Sequence, residues 1–275
     1  MTSLVREVCR EARPVVRRYH DRLFRALFGV SVSTCASLWR RIVPHVLYGT
    51  VKLKHLLWAL HFLMIYPTEI AGSAAWGVDP GTWRQHIDAA LSLLLNYLPK
   101  YPWARRSENA FGTLIGVVDV TRIKIQKPTM NASRYYCMKD QLYALKFEVV
   151  VSIKQPSMIL WVSGPWKGAV PDITIAREML LPALRHSEQL VADKAYIGEP
   201  ARLITPIRGR DLNRTDRIWN ARHARVHQVV ERTSQRLKSW GCFRQTWRHD
   251  YDKCSAAFRV VSRITNCQLA RGEHL

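Results

Sequence analysis

The sequence predicts an α/β protein in which a mixed β-sheet domain follows an all-α region. Three observations carry that expectation. Residues 1–98 place apolar side chains at helical spacing, residues 113–207 carry short β-branched apolar runs, and two long helical segments close the chain. The change of texture falls at residues 99–112, where Pro-Lys-Tyr-Pro-Trp-Ala-Arg-Arg-Ser-Glu reads as a linker. The expected domains are therefore 1–98 and 113–275.

In the first domain, helical segments are expected at about 3–27 (interrupted by Pro14), 33–47, 53–66 and 68–75. The longest apolar stretch, residues 56–66, contains His61 and ends at Pro67. It is too short to span a bilayer and predicts a core helix of a soluble protein with no membrane partner. Gly77 makes a turn, Asp79 can cap, and Pro80 can open a fifth helix over 81–98. A short helix, a Gly-containing turn and a capped helix make a helix-turn-helix-like unit. Two readings of its start stay open. Thr82, Trp83, Arg84 and His86 form the first turns of a recognition helix, or Trp83 belongs to the core of an ordinary three-helix bundle.

In the second domain the expected strands are 113–120, 142–152 and 157–163, then a helix at 173–185, strands at 188–192 and 202–207, and helices at 214–239 and 255–270. Three strands in a meander, a helix, two more strands and a long helix is the order of an RNase H-like domain.

Lys and Arg number 42 against 21 Asp and Glu, a net charge of +21. That excess favours a polyanionic partner through counterion release. The six cysteines include no Cys-x-x-Cys pair and predict buried or free thiols in a reducing compartment; Cys242, His249 and Cys254 lack a fourth ligand at zinc spacing.

Carboxylates are scarce, so their placement is telling. Asp119 ends the apolar run Leu-Ile-Gly-Val-Val-Asp, and Asp193 follows Leu190-Val191-Ala192. A charge there is costly unless it reaches solvent or a cation. On neighbouring strands the two acids would lie side by side, and divalent cations would relieve their repulsion. Glu231, sharing a helical stripe with His227 and Lys238, would close the cluster from a helix. Three hard oxygen ligands suit Mg²⁺ or Mn²⁺, and two ions about 3.5–4 Å apart support phosphodiester chemistry. Each acid has a plainer reading: a strand-end turn residue for Asp119, the opening of the Asp-Lys-Ala-Tyr turn for Asp193, a solvated helical position for Glu231. Asp172 is equally a helix cap or a supporting group outside the ligands.

These motifs resemble the PIF/Harbinger type of DDE transposases, a DDE superfamily endonuclease group related to bacterial insertion-sequence transposases. The resemblance covers about residues 112–269. It rests on Val118-Asp119-Val120-Thr121-Arg122-Ile123 with Lys127-Pro128, on Tyr135 to Lys139 before the 144–151 strand, on Gly168-Ala169-Val170-Pro171-Asp172, on Asp193-Lys194-Ala195-Tyr196, and on Glu231-x6-Lys238. Residues 26–98 are similar to the helical DNA-binding region of some members. The resemblance implies a nuclease that binds terminal inverted repeats and target DNA. It further implies catalysis with Mg²⁺ or Mn²⁺ through Asp119, Asp193 and Glu231, with Lys238 on a phosphate. Homo-oligomerisation, an accessory DNA-binding protein and a nuclear location (cytoplasmic in a bacterium) are expected alongside. Val120 stands where a small residue is usual, Arg122 replaces a His, and Pro171 replaces the His before Asp172.

Arg208, Arg210, Arg214, Arg217, Arg222 and Arg225, with Trp219, precede the Glu231 segment and could follow a DNA backbone or simply form a solvated face. The alternative to an active enzyme is a transposase-derived DNA-binding protein without transposition activity.

Overall fold

Helix α1 (Ser3–Glu11) stops ahead of Pro14, whose ring cannot join a helix interior. Helix α2 (Asp21–Phe28) starts under its own cap, with His20 Nδ1 accepting the Arg22 amide at 3.2 Å. The segment expected at 3–27 is therefore two helices. The computed structural model describes residues 2–16 and 20–273. Helices α3 (Val32–Ile42), α4 (Leu53–Ile65), α5 (Glu69–Trp76) and α6 (Pro80–Tyr97) follow. Helix α4 is apolar nearly all round and packs against α2 and α6, as a helix with no polar face must.

The α5–α6 junction has the turn that the sequence predicts. Gly77 takes φ +64°, and Asp79 Oδ1 accepts the Gly81 and Thr82 amides at 2.8 and 3.1 Å. Gly72 permits the close approach of the two helices, because a Cβ there would lie 2.4 Å from the Trp83 ring. Trp83 is 1% exposed, so the core reading of this residue holds and it is no recognition residue.

The second unit runs from Tyr101 to Leu237 and adds Thr246–Arg248. It begins inside the expected linker. Residues Trp103–Asn109 form a 3₁₀ helix whose Arg106 lies 2.8 Å from Glu188, both side chains 6% exposed, while Trp103 Nε1 donates to the Ala183 carbonyl. An aromatic ring and a paired guanidinium that bury together cannot serve as a free tether.

Its strands are β1 (Leu114–Lys124), β2 (Tyr136–Cys137), β3 (Leu142–Val151), β4 (Ile159–Lys167), β5 (Gln189–Val191) and β6 (Leu203–Ile204). Strand β3 lies between β4 and β1, antiparallel to both, and β5 and β6 extend the sheet in parallel from β1; β2 pairs with the start of β3. This antiparallel trio with a parallel extension is an RNase H-like mixed sheet. The crossover from β4 to β5 is α7 (Asp172–Ile175), which runs through a π-turn into α8 (Leu181–Ala183). It packs Ile175, Ala176 and Leu180 onto Val118, Val120, Val150 and Leu190. Helix α9 (Arg214–Lys238) is the long helix expected after the sheet.

The chain then returns to the first unit, which takes up Lys238–Gln245 and residues 249–273. These residues hold α10 (Gly241–Arg244) and α11 (Tyr251–Ala270). The expected domain 113–275 is corrected here. The buried stripe of α11 includes Phe258, Val261 and Ile264, its Lys253 lies 2.6 Å from Asp88 of α6, and Arg263 donates to the carbonyls of Leu95 and Leu98.

Candidate active site

Strand β1 pairs in parallel with β5 through Val117 and Val191, and two residues further along each chain stand Asp119 and Asp193. Strand β5 ends at Val191, whereas β1 continues to Lys124 beside β3, with Asp119 opposite Val149. Asp119 is thus not the end of its strand, as the apolar run suggested. It is the point where the sheet opens on one side because its parallel neighbour has stopped. Val118 and Val120 point into the core under α7, so strand alternation puts Asp119 on the other face.

Burial raises the Asp119 carboxyl to about 6. His227 and the Val120 amide oppose that rise, while the charges of Asp193 and Asp172 add to it. Asp193 accepts the Ala195 amide at 2.8 Å and so opens the 3₁₀ turn Lys194–Tyr196. Its turn-forming role and its place beside Asp119 coexist.

Helix α9 supplies the rest. His223 Nε2 lies 3.0 Å from the Ala192 carbonyl and 3.2 Å from that of Ile204, which holds the helix across the ends of β5 and β6. His227 stacks on His223 with centroids 5.9 Å apart, and its Nδ1 lies 3.3 Å from Glu231 Oε1. His227 Nε2 is buried and has no hydrogen-bond partner. Glu231 is 56% exposed and turned to His227. Among the described residues, no three His, Cys, Asp or Glu side chains are gathered closely enough to hold a metal ion. The register therefore sets Asp119 and Asp193 level on adjacent strands, while Glu231 pairs with His227. What the site offers a divalent cation is a carboxylate pair, with the Asp119 carboxyl raised by burial, and a buried ring nitrogen without a hydrogen-bond partner.

Asp172 has a third role that neither sequence reading contained. Pro171 occupies the cap position, and the Asp172 carboxylate, 6% exposed, lies 2.8 Å from Lys146 Nζ and 3.3 Å from Arg122 Nη2. It is a buried ion pair that fastens α7 to β1 and β3, and it reaches Asp119 through charge. Arg122, the departure from the family His, also lies 3.1 Å from Asp140. Glu148, opposite Val120, is fully buried, and burial pushes its carboxyl up to about 8. Sequence reasoning passed over Lys146, Glu148 and His223. Only the i, i+4, i+8 spacing of His223, His227 and Glu231 was there to find.

Arg208, Arg210, Arg214, Arg217, Arg222 and Arg225 are all exposed, although Arg208 donates to the Lys194 carbonyl and Arg217 to that of Leu212. Lys238 is exposed at the end of α9. In the first unit Thr82 and Arg84 face solvent, with Arg84 3.0 Å from Glu69. His86 is half-buried and stacks on His55 at 3.7 Å, which removes it from an outward-facing recognition surface.

The sheet is RNase H-like, with an acid on β1 and another just past β5 where the parallel neighbour of β1 ends. The chain belongs to the DDE superfamily endonuclease family, whose pattern matches residues 118–266, more than half of its length. It is 26% identical over 162 residues to the probable transposase for insertion sequence element IS702 of Microchaete diplosiphon, covering 56% of this chain and 57% of that protein. It is 27% identical over 130 residues to the candidate nuclease HARBI1 of Xenopus laevis, covering 46% of this chain and 36% of that protein. The chain thus spans little more than half of the first relative and about a third of the second. Both agree with the PIF/Harbinger resemblance. No solved structure matches. The superfamily generally works with divalent metals.

Proposed function

We propose that this protein is a metal-dependent DNA transposase that cleaves and joins phosphodiester bonds at element ends, with Asp119, Asp193 and Glu231 as its acids. The observation that carries this reading is the Val117–Val191 register, which puts Asp119 and Asp193 side by side inside the segment matched by the family. Mg²⁺ or Mn²⁺, as two ions, would activate the attacking oxygen and stabilise the leaving one. Asp119 and Asp193 would hold the metal, with the backbone of β1 and β5 setting their spacing. Glu231 would act from α9, whose position His223 determines. Asp172 supports β1 from the opposite face. Lys238 and the exposed arginines before Glu231 would hold phosphates, giving affinity without sequence choice. Double-stranded DNA, as terminal repeats and target, is the substrate, and Thr82 and Arg84 remain on the outer face of α6 to meet it. Oligomerisation, an accessory DNA-binding protein and a nuclear location (cytoplasmic in a bacterium) complete the proposal.

The test is nicking of supercoiled DNA with Mg²⁺ or Mn²⁺ by the wild type, Asp119→Asn, Asp193→Asn and Glu231→Gln. Cutting that needs metal and disappears in the variants supports the proposal; cutting that persists in all three rejects it. The second reading, a DNA-binding protein without transposition activity, is favoured by Glu231 being turned to His227 rather than to the aspartates. Salt-sensitive DNA binding with no cutting under either metal would select it.

A further inference from the structure

We propose that Trp219 is a stacking platform for an unpaired nucleobase of a DNA strand that passes the Asp193 end of the site. The inference rests on the reading of this protein as a DNA-processing enzyme and goes beyond it. Arginines on phosphates hold any duplex, whereas a stacking ring selects DNA whose bases are unpaired.

The chain has ten tryptophans. Among the described residues Trp219 alone of them is exposed, at 45%, and the other nine are buried or half-buried. An exposed indole offers a large, rigid, apolar face at little cost in side-chain entropy. Its neighbours are apolar too, with Ile218 46% exposed and Ile207 39% exposed.

Position ties this face to the acids. Trp219 precedes His223 by one turn on the same side of α9, about 6 Å along the axis. His223 Nε2 lies 3.0 Å from the Ala192 carbonyl, and Asp193 is the next residue. One turn equals about two nucleotide steps, so a base on Trp219 belongs to a nucleotide close to the phosphate at Asp193.

The surroundings are built rather than loose. The Asn220 carboxamide accepts the Ile207 amide at 2.9 Å and donates to the Ile207 carbonyl at 3.0 Å. Arg208 donates to the Lys194 carbonyl at 2.7 Å, and Asn213 and Asp216 each accept the other's amide, at 3.3 and 2.8 Å. The loop at 207–213 is thereby pinned to the first turns of α9 and to the turn after Asp193, which lowers the entropic cost of binding there.

Charge identifies the occupant. Residues 207–225 carry six arginines against two acids, Asp211 and Asp216, so a polyanion fits. A second copy of the chain meeting through the same face would set like charges opposite one another. Bases inside a duplex already stack on each other, so the ring finds a free face only on an unpaired base, and on any of the four.

The test is fluorescence anisotropy of labelled single-stranded and fully paired DNA with the full chain, without divalent metal. Trp219→Ala should weaken single-strand binding about tenfold and duplex binding by less than about twofold. The slope of log K against log salt should stay unchanged, because no phosphate contact is lost. Trp219→Phe, which keeps an aromatic face, should recover most of the loss. Equal weakening on both DNAs, a changed salt slope, or undiminished single-strand binding in Trp219→Ala overturns the proposal. A changed sedimentation coefficient in Trp219→Ala with DNA binding intact gives the ring to a contact between copies and also overturns it. Wild-type protein with no salt-sensitive binding to either DNA fails the underlying DNA reading itself.

Discussion

His223 grips the residue before Asp193: its Nε2 lies 3.0 Å from the Ala192 carbonyl and also reaches that of Ile204. One imidazole N–H thereby serves two strand ends and sets where α9 crosses the sheet. His223→Ala takes the ring donor from the Ala192 carbonyl, while the Ile204 carbonyl still accepts the Ala192 amide at 3.0 Å, and should cost about 1–3 kcal/mol, measured by urea unfolding. The amide resonances of Asp193 and Ala195 should shift with it.

Lys146 and Asp172 are an ion pair in the interior, at 2.8 Å with both side chains 6% exposed. Removing Lys146 leaves Arg122, at 3.3 Å, to carry the buried Asp172 charge. Lys146→Met should cost about 3–5 kcal/mol, and Lys146→Met combined with Asp172→Asn should recover most of that loss.

Glu148 gives the stability a pH dependence. Its folded carboxyl is raised from 4.5 to about 8 by burial, so the fold keeps a proton that the unfolded chain releases. Its contribution is complete below 4.5 and is lost as pH rises toward about 8. Asp119 acts in the same direction between 3.8 and about 6. Glu148→Gln keeps the size and the Ser163 contact but cannot ionise. It should flatten the decline and be the more stable protein at pH 8, by a few kcal/mol at most. Unfolding of both proteins at pH 5 and pH 8 checks this.

Trp83 and Arg84 are adjacent in α6 and should behave in opposite ways. Trp83, 1% exposed against Gly72, should cost about 3–5 kcal/mol when replaced by Ala. Thr82→Ala and Arg84→Ala should unfold within about 0.5–1 kcal/mol of the wild type and weaken DNA binding instead. Melting curves and fluorescence anisotropy separate the two effects.

Arg214, Arg222 and Arg225 are exposed on α9. If each neutralises a phosphate, its replacement by Gln should lower the slope of log K against log salt by about 0.9, equally for any DNA sequence. A slope unchanged in the triple variant would make them a solvated face.

Much of this was legible in the chain itself. Asp79, Pro80 and Gly77 are local signals, and they set the start of α6 because capping needs only neighbouring residues. The apolar runs before Asp119 and Asp193 marked β1 and β5 for the same reason, since a strand's alternation and length belong to consecutive residues. What local pattern cannot hold is which distant groups meet. Strand register, decided by backbone hydrogen bonds between segments far apart in sequence, put Lys146 beside Asp172 and Glu148 opposite Val120. The anchoring of His223 at the ends of β5 and β6 then set α9 so that His227 turns its Nδ1 to Glu231. Helix α11 joined the first unit because its buried stripe and Lys253 found their partners on α6. The sequence by itself determined the elements and the acids they carry. Tertiary packing decided which acid is neutralised by an ion pair, which is left half-buried beside another acid, and which is paired with a histidine, because burial and charge pairing exist only once the strands and helices meet.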